Sequence, residues 1–226
     1  MGGQPSLSED CLFLNIWTQS SNSNSSQLKP VMFWIYGGGL SIGSIFQSIY
    51  NGSIYASQDV VFVSTNYRLG HLGFTYGGDS TAPGNVGFYD QVLALKWVRD
   101  NIHLFGGDKE QITIFGESAG SWSASVHLIS PESKGLFRRA IMESGSVMFN
   151  KDRPVLSASE GLSNAKELAK QVNCSDEKTW LSCLKNVSAD QILSVPHLYS
   201  HIPSMGRNSY PFLHKSLLRR ISSTKV

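Results

Sequence analysis

Cysteine is scarce in this chain, with three in 226 residues, so at least one stays outside any intrachain pair. Charge is sparse as well: 16% of residues are Asp, Glu, Lys or Arg, and the formal net charge is +2. That excess belongs to the end of the chain. Residues 1–190 carry 14 Lys/Arg against 17 Asp/Glu, whereas residues 191–226 carry five Lys/Arg and no acid. The five cations are neither clustered nor interleaved with aromatics, which argues against nucleic-acid or membrane-surface binding and for a solvated end. Long apolar runs are missing. No stretch approaches the length of a spanning helix, and Met1-Gly2-Gly3-Gln4-Pro5 has neither a basic n-region nor an apolar h-region. There is no internal repeat, and the one biased stretch, Ser- and Asn-rich residues 20–28, reads as an exposed loop between two strands.

What is present is a globular composition, 41% hydrophobic over a length that allows a sizeable core. The element order is α/β. Near-continuous apolar runs predict strands near 12–18, 30–36, 60–66, 111–117 and 139–144, and helical spacing predicts helices over 87–103, 119–129 and 160–172. Runs without alternation are the mark of parallel strands covered on both faces. In the helix at 87–103, Phe88, Val92, Leu95, Val98 and Ile102 form one stripe, and Gly106-Gly107 follows its end. Trp97 and Tyr89 in this helix read as core packing rather than ligand contacts.

The chemistry concentrates in Gly116-Glu117-Ser118-Ala119-Gly120, set between the strand-like Gln111-Ile112-Thr113-Ile114-Phe115 and a helix-like run. With 21 Gly and 35 Ser in the chain, chance alone gives roughly 0.3 matches to G-x-S-x-G. The flanking elements carry the weight: a sharp strand-to-helix turn holds a serine hydroxyl out at the carboxyl end of a sheet, as a nucleophile must be. A second element agrees. The buried-strand run Val31-Met32-Phe33-Trp34-Ile35-Tyr36 ends directly in Gly37-Gly38-Gly39, leaving backbone N–H groups unobstructed. Gly38, Gly39 and the N–H of Ala119 are the candidate oxyanion hole, each such donor being worth about 2.7–4 kcal/mol to a tetrahedral intermediate.

Together with Ser8-Glu9-Asp10-Cys11-Leu12-Phe13-Leu14-Asn15-Ile16-Trp17, Asn66-Tyr67-Arg68-Leu69-Gly70, Ala82-Pro83-Gly84-Asn85-Val86-Gly87 and Phe105-Gly106-Gly107-Asp108, these segments resemble, in order, the type-B carboxylesterase/cholinesterase family of α/β-hydrolases. The resemblance covers about residues 6–195. It implies the N-terminal half of one α/β-hydrolase domain, with a mostly parallel central sheet and helices on both faces. It further implies Ser118 as nucleophile, Glu117 as an active-site-gorge glutamate, and a small-molecule ester as substrate, with no metal and no organic cofactor. Helices that often mediate dimers in the family would lie beyond the matched part, so oligomeric state is undefined at this level. The family also implies a Cys174–Cys183 disulfide and an upstream partner for Cys11 that this chain does not contain. With N-x-Ser sequons at Asn24, Asn51, Asn173 and Asn186, the pairing points to glycosylation and a secreted parent.

A serine hydroxyl needs a histidine to take its proton and an acid to orient that histidine, and in this fold both follow the serine. His127, His197, His201 and His214 follow Ser118, none in the family's catalytic context. His127, on the helix after the elbow, reads as a structural or exposed residue, and the expectation is of a chain inactive by itself. Residues 207–226 depart from the family pattern as a tail. The lack of a tryptophan after Ser146, in Val147-Met148-Phe149, tilts substrate choice toward general carboxylic esters. The competing reading is a non-catalytic cholinesterase-like adhesion or ligand-binding protein, a kind that commonly loses the elbow serine, which is present here.

Overall fold

The computed structural model describes residues 8–19, 27–147 and 156–196. Asn24, the polar residues 20–26, Met148 and Phe149, the histidines at 197, 201 and 214, and the tail at 207–226 lie outside the described residues.

Five strands form one sheet among the described residues: β1 (Leu14–Trp17), β2 (Lys29–Ile35), β3 (Val61–Thr65), β4 (Gly107–Glu117) and β5 (Arg139–Glu143), in the order β1-β3-β2-β4-β5. The pairs β3/β2, β2/β4 and β4/β5 are parallel, and only β1 runs antiparallel, against β3. This is the mostly parallel sheet of an α/β-hydrolase. The expected strands are all present, with β4 beginning four residues earlier than its apolar run because Gly107 already pairs with Lys29.

Side chains alternate between the faces of a strand, so register sorts the core into two layers. Val31, Phe33 and Ile35 of β2, Val61 and Val63 of β3, and Ile112 and Ile114 of β4 share one face, and all seven are fully buried. Helices α3 (Val86–Asn101) and α4 (Ala119–Ile129) cover it. The stripe Phe88, Val92, Leu95, Val98 and Ile102 lies in that core, each such side chain contributing about 1.5–3 kcal/mol by leaving water. A 3₁₀ turn, Ile102–Phe105, closes α3, and Gly106 at φ +77° ends it in the left-handed region that glycine tolerates best. On the other face Phe62, Trp34 and Phe115 pack edge to face, and Tyr55 of the short helix α1 (Ser53–Ala56) stacks on Phe62 with centroids 5.0 Å apart. Helices therefore cover both faces. At the far edge, β5 leaves Ile141 and Met142 exposed.

Trp97 departs from its sequence reading. It is 41% exposed on the outer side of α3, tilted against Phe105, because its position falls off the buried stripe. Tyr89 packs against the main core as expected.

Four short helices carry too little periodicity to be read in advance: α1, α2 (Gly70–Phe74), α6 (Trp180–Leu184) and α7 (Ala189–Ser194). With α5 (Ala158–Gln171), which begins in a capping box formed by Ser157 and Glu160, α6 helps build a second core around Ala165, Leu168, Ala169, Trp180 and Leu184. Cys174 and Cys183 are disulfide-bonded within it, nine residues apart in sequence. Cys183→Ser is expected to destabilise this unit by about 2–3 kcal/mol through the freed loop entropy of the unfolded chain. A urea midpoint unchanged under oxidising conditions would refute that expectation.

Candidate active site at the carboxyl edge of the sheet

Because β2, β3, β4 and β5 are parallel, the loops that follow them emerge at one edge of the sheet, the usual location of a ligand crevice in α/β proteins. Ser118 stands there, between the end of β4 and the start of α4, with φ +56° and ψ −120°. A non-glycine residue in that conformation is strained by about 1–3 kcal/mol and persists only where its surroundings enforce it. They do so here. The Ser118 N–H donates to the Glu143 carbonyl at the end of β5 (2.8 Å), and the Ser118 carbonyl accepts from Trp122 N–H in the first turn of α4 (2.9 Å).

The two flanking glycines let the elbow press onto β2. A Cβ at Gly116 would lie 2.5 Å from the Ile35 carbonyl oxygen, and one at Gly120 would lie 2.0 Å from the same atom. Gly145, after β5, closes the other side, where a Cβ would come within 2.5 Å of the Ser118 carbonyl oxygen. Ser121 Oγ donates to the Gly145 carbonyl (2.6 Å), a tie with no signature in the sequence.

The glycine run lies beside the serine. Ile35 and Gly116 are register partners, so the chains leaving β2 and β4 run on side by side. A Cβ at Gly37 would stand 3.2 Å from Ser118 Cβ and 2.6 Å from the Glu117 carbonyl oxygen. Gly38 and Gly39 follow at φ +114° and +64°, and Leu40 continues at +58°. Ala119 opens α4, where the first backbone N–H groups have no partner within the helix and the helix dipole favours negative charge. Glu117 is exposed, pairs in register with Glu143, and points its carboxylate toward Gly37. It also bears on Tyr50, whose hydroxyl is raised above its ordinary value first by burial and then by the Glu117 carboxylate.

His127 takes no part in this cluster. It is buried in the core on α4, its Nδ1 2.7 Å from Ser133 Oγ and its Nε2 2.8 Å from Gln91 Oε1 on α3, so both ring nitrogens are committed. Burial alone pushes its pKa down to about 3, leaving it neutral. A separate cavity of about 590 Å³ between β1 and the outer side of α3, lined by Leu12, Phe13, Asn66, Leu93, Trp97 and Phe105 among others, includes none of the candidate catalytic residues.

Of the sequons described, Asn51, Asn173 and Asn186 are all exposed, Asn173 at φ +64°. Cys11 is a free thiol pushed up by burial, with Asp90 adding to the shift. Among the described residues no set of three or more His, Cys, Asp or Glu is arranged to hold a metal ion, and no helix is long and apolar enough to cross a membrane.

A mostly parallel sheet, a strained serine at its carboxyl edge and a glycine loop beside it define the α/β-hydrolase class. Within that class the profile of the Carboxylesterase family matches residues 2–214, and the chain belongs to this family. It is 48% identical over 191 residues to acetylcholinesterase of Gallus gallus, covering 83% of this chain and 24% of that protein. It is similar to cholinesterase 1 of Branchiostoma lanceolatum, at 45% over 192 residues, 83% of this chain and 52% of the relative. The same holds for cocaine esterase of Oryctolagus cuniculus, at 44% over 200 residues, 88% and 37%. The chain thus spans between about a quarter and a half of the length of these relatives.

Proposed function

We propose that Ser118 is the nucleophile of a carboxylic ester hydrolase acting on small-molecule esters. Its Oγ attacks the acyl carbon, the negative charge on the former carbonyl oxygen is met by the N–H groups of Gly38, Gly39 and Ala119, the alcohol leaves with a proton, and water then hydrolyses the acyl-serine. The observation that carries this reading is the strained conformation of Ser118 with Gly37 packed against it. Glu117, at the mouth of the glycine loop, shapes the field of the site and does not replace the acid of a triad. Family membership, the disulfide and the exposed sequons at Asn51 and Asn186 support a glycosylated protein of an oxidising, extracellular route.

His127, committed to Gln91 and Ser133 in the core, is not free to take the Ser118 proton, and this chain alone is expected not to turn over esters. An oxyanion hole without its base still accelerates acyl chemistry by roughly 10³-fold over water. A fluorophosphonate probe incubated for hours with the folded chain is therefore expected to modify Ser118 far faster than the other serines, as mapped by mass spectrometry, and Ser118→Ala should abolish that adduct. Labelling of Ser118 no faster than surface serines would sink the reading and favour a non-catalytic binding protein.

A further inference from the structure

The motif Asn66-Tyr67-Arg68-Leu69-Gly70 has no part in the chemistry above, yet it touches the glycine loop at three successive points. At the start of the loop, Tyr67 OH donates to the Tyr36 carbonyl (2.8 Å), the last peptide oxygen before Gly37. In the middle, Gly70 N–H donates to the Leu40 carbonyl (2.7 Å). At the end, Asn66 Oδ1 accepts from Ile45 N–H (3.0 Å). The two tyrosine rings stack with centroids 4.6 Å apart, and Tyr36 OH donates back to the Tyr67 carbonyl (3.4 Å).

The segment is itself anchored. Asn66 Nδ2 donates to the Cys11 carbonyl (2.9 Å), and Arg68 is held by Asp90 of α3 through Nε (2.8 Å), a guanidinium nitrogen (2.7 Å) and its backbone N–H (2.9 Å). What it holds is strained. Three consecutive residues, Gly38, Gly39 and Leu40, have positive φ, and at Leu40 that conformation costs about 1–2 kcal/mol. Such a loop keeps its donors aimed only if its neighbours over-determine it.

We propose that residues 66–70 brace the oxyanion loop and that Tyr67 is a positioning residue, its hydroxyl fixing the peptide from which Gly38 and Gly39 follow. The inference rests on the ester-hydrolase reading of Ser118. The test compares Tyr67→Phe, which keeps the stacked ring and deletes the hydroxyl, with wild type in two measurements. Hydrogen exchange of residues 37–45 is expected to speed up about tenfold with the rest of the sheet unchanged. Saturation kinetics of Ser118 phosphonylation should show the covalent step slowed about tenfold and reversible probe binding little altered, a split that loss of global stability would not produce.

Unchanged exchange and unchanged phosphonylation would overturn the proposal. Faster exchange with an unaltered covalent step would also overturn it, leaving a structural tie only. If wild-type Ser118 proves unreactive, the ester-hydrolase reading fails, and with it any catalytic role for the brace, while exchange alone still decides whether Tyr67 holds the loop. Should Tyr67→Phe not fold, Asn66→Ala against Asn66→Asp reads the other end of the brace: the aspartate keeps an acceptor for Ile45 N–H and is expected to restore protection that the alanine loses.

Discussion

Gly120→Ala is expected to destabilise the chain by about 4 kcal/mol or more, although alanine is the better helix former. Helix propensity alone would favour the substitution by about 0.5–1 kcal/mol, since Gly120 sits in the first turn of α4 and has a φ open to any residue. The added methyl, however, would stand 2.0 Å from the Ile35 carbonyl oxygen, 2.8 Å from its carbon and 3.0 Å from the Tyr36 carbonyl carbon. All three atoms are backbone, in the strand end that leads into the glycine loop. No rotamer relieves the clash, so α4 must lift off β2 or β2 must bend. The clash outweighs the propensity several-fold. Gly106→Ala supplies the contrast: it sits at φ +77° with nothing within 4 Å of an added Cβ, so it should cost only the left-handed penalty of about 1–2 kcal/mol. Urea midpoints of the two variants check the ordering, and a Gly120→Ala loss no larger than that of Gly106→Ala would show that the elbow is not pressed onto β2 as described.

Acidification from pH 6.5 to 4.5 is expected to remove roughly 2–3 kcal/mol of stability through His127 alone. In the folded chain burial holds this histidine neutral, with a pKa of about 3 against its ordinary 6.5. The groups facing it are the Gln91 amide of α3, the Ser133 hydroxyl of the 3₁₀ turn after α4, and the Phe88 ring. Below pH 6.5 the unfolded chain takes up a proton that the folded chain refuses. Stability contributed by the neutral form is therefore complete above pH 6.5 and falls by about 1.4 kcal/mol per pH unit until pH nears 3. The carboxyls of Asp79, Glu160 and Asp176, held below their ordinary values mainly by hydrogen bonds from Thr81, Ser157 and Thr179, lose their contribution only at lower pH. The window from 6.5 to 4.5 thus lies largely above these carboxyl transitions, and the His127→Gln comparison picks out the share due to His127. Urea unfolding at several pH values should show the slope in wild type and lose it in His127→Gln; an equal slope in both proteins would assign it elsewhere.

The fold was largely legible in the chain. Apolar runs without alternation located β2, β3 and β4 because strands buried on both faces have no polar side to show, and the five-residue stripe located α3. Trp97 was misread because a large aromatic suggests burial, whereas its place on the helix decides exposure. Short helices α1, α2, α6 and α7 escaped notice because one turn or so of helix leaves no period to detect and is held by tertiary packing.

The candidate site divides in the same way. A serine between glycines after a strand run, and a glycine triplet after another, are local patterns that the chain writes out by itself, because turn geometry at those positions depends on residues a few places apart. Register is different. That Ile35 meets Gly116, that Gly37 lies against Ser118, that His127 is spent on Gln91 and Ser133, and that Tyr67 holds the Tyr36 peptide are contacts between residues 31 to 81 apart in sequence, save His127–Ser133 at six. The amino-acid sequence by itself determined the strands, the elbow and the chemistry of its serine, through patterns of burial and backbone freedom. Only the tertiary structure decided which loops converge on that serine and which histidine is withheld from it, because close packing and parallel pairing are properties of the assembled sheet.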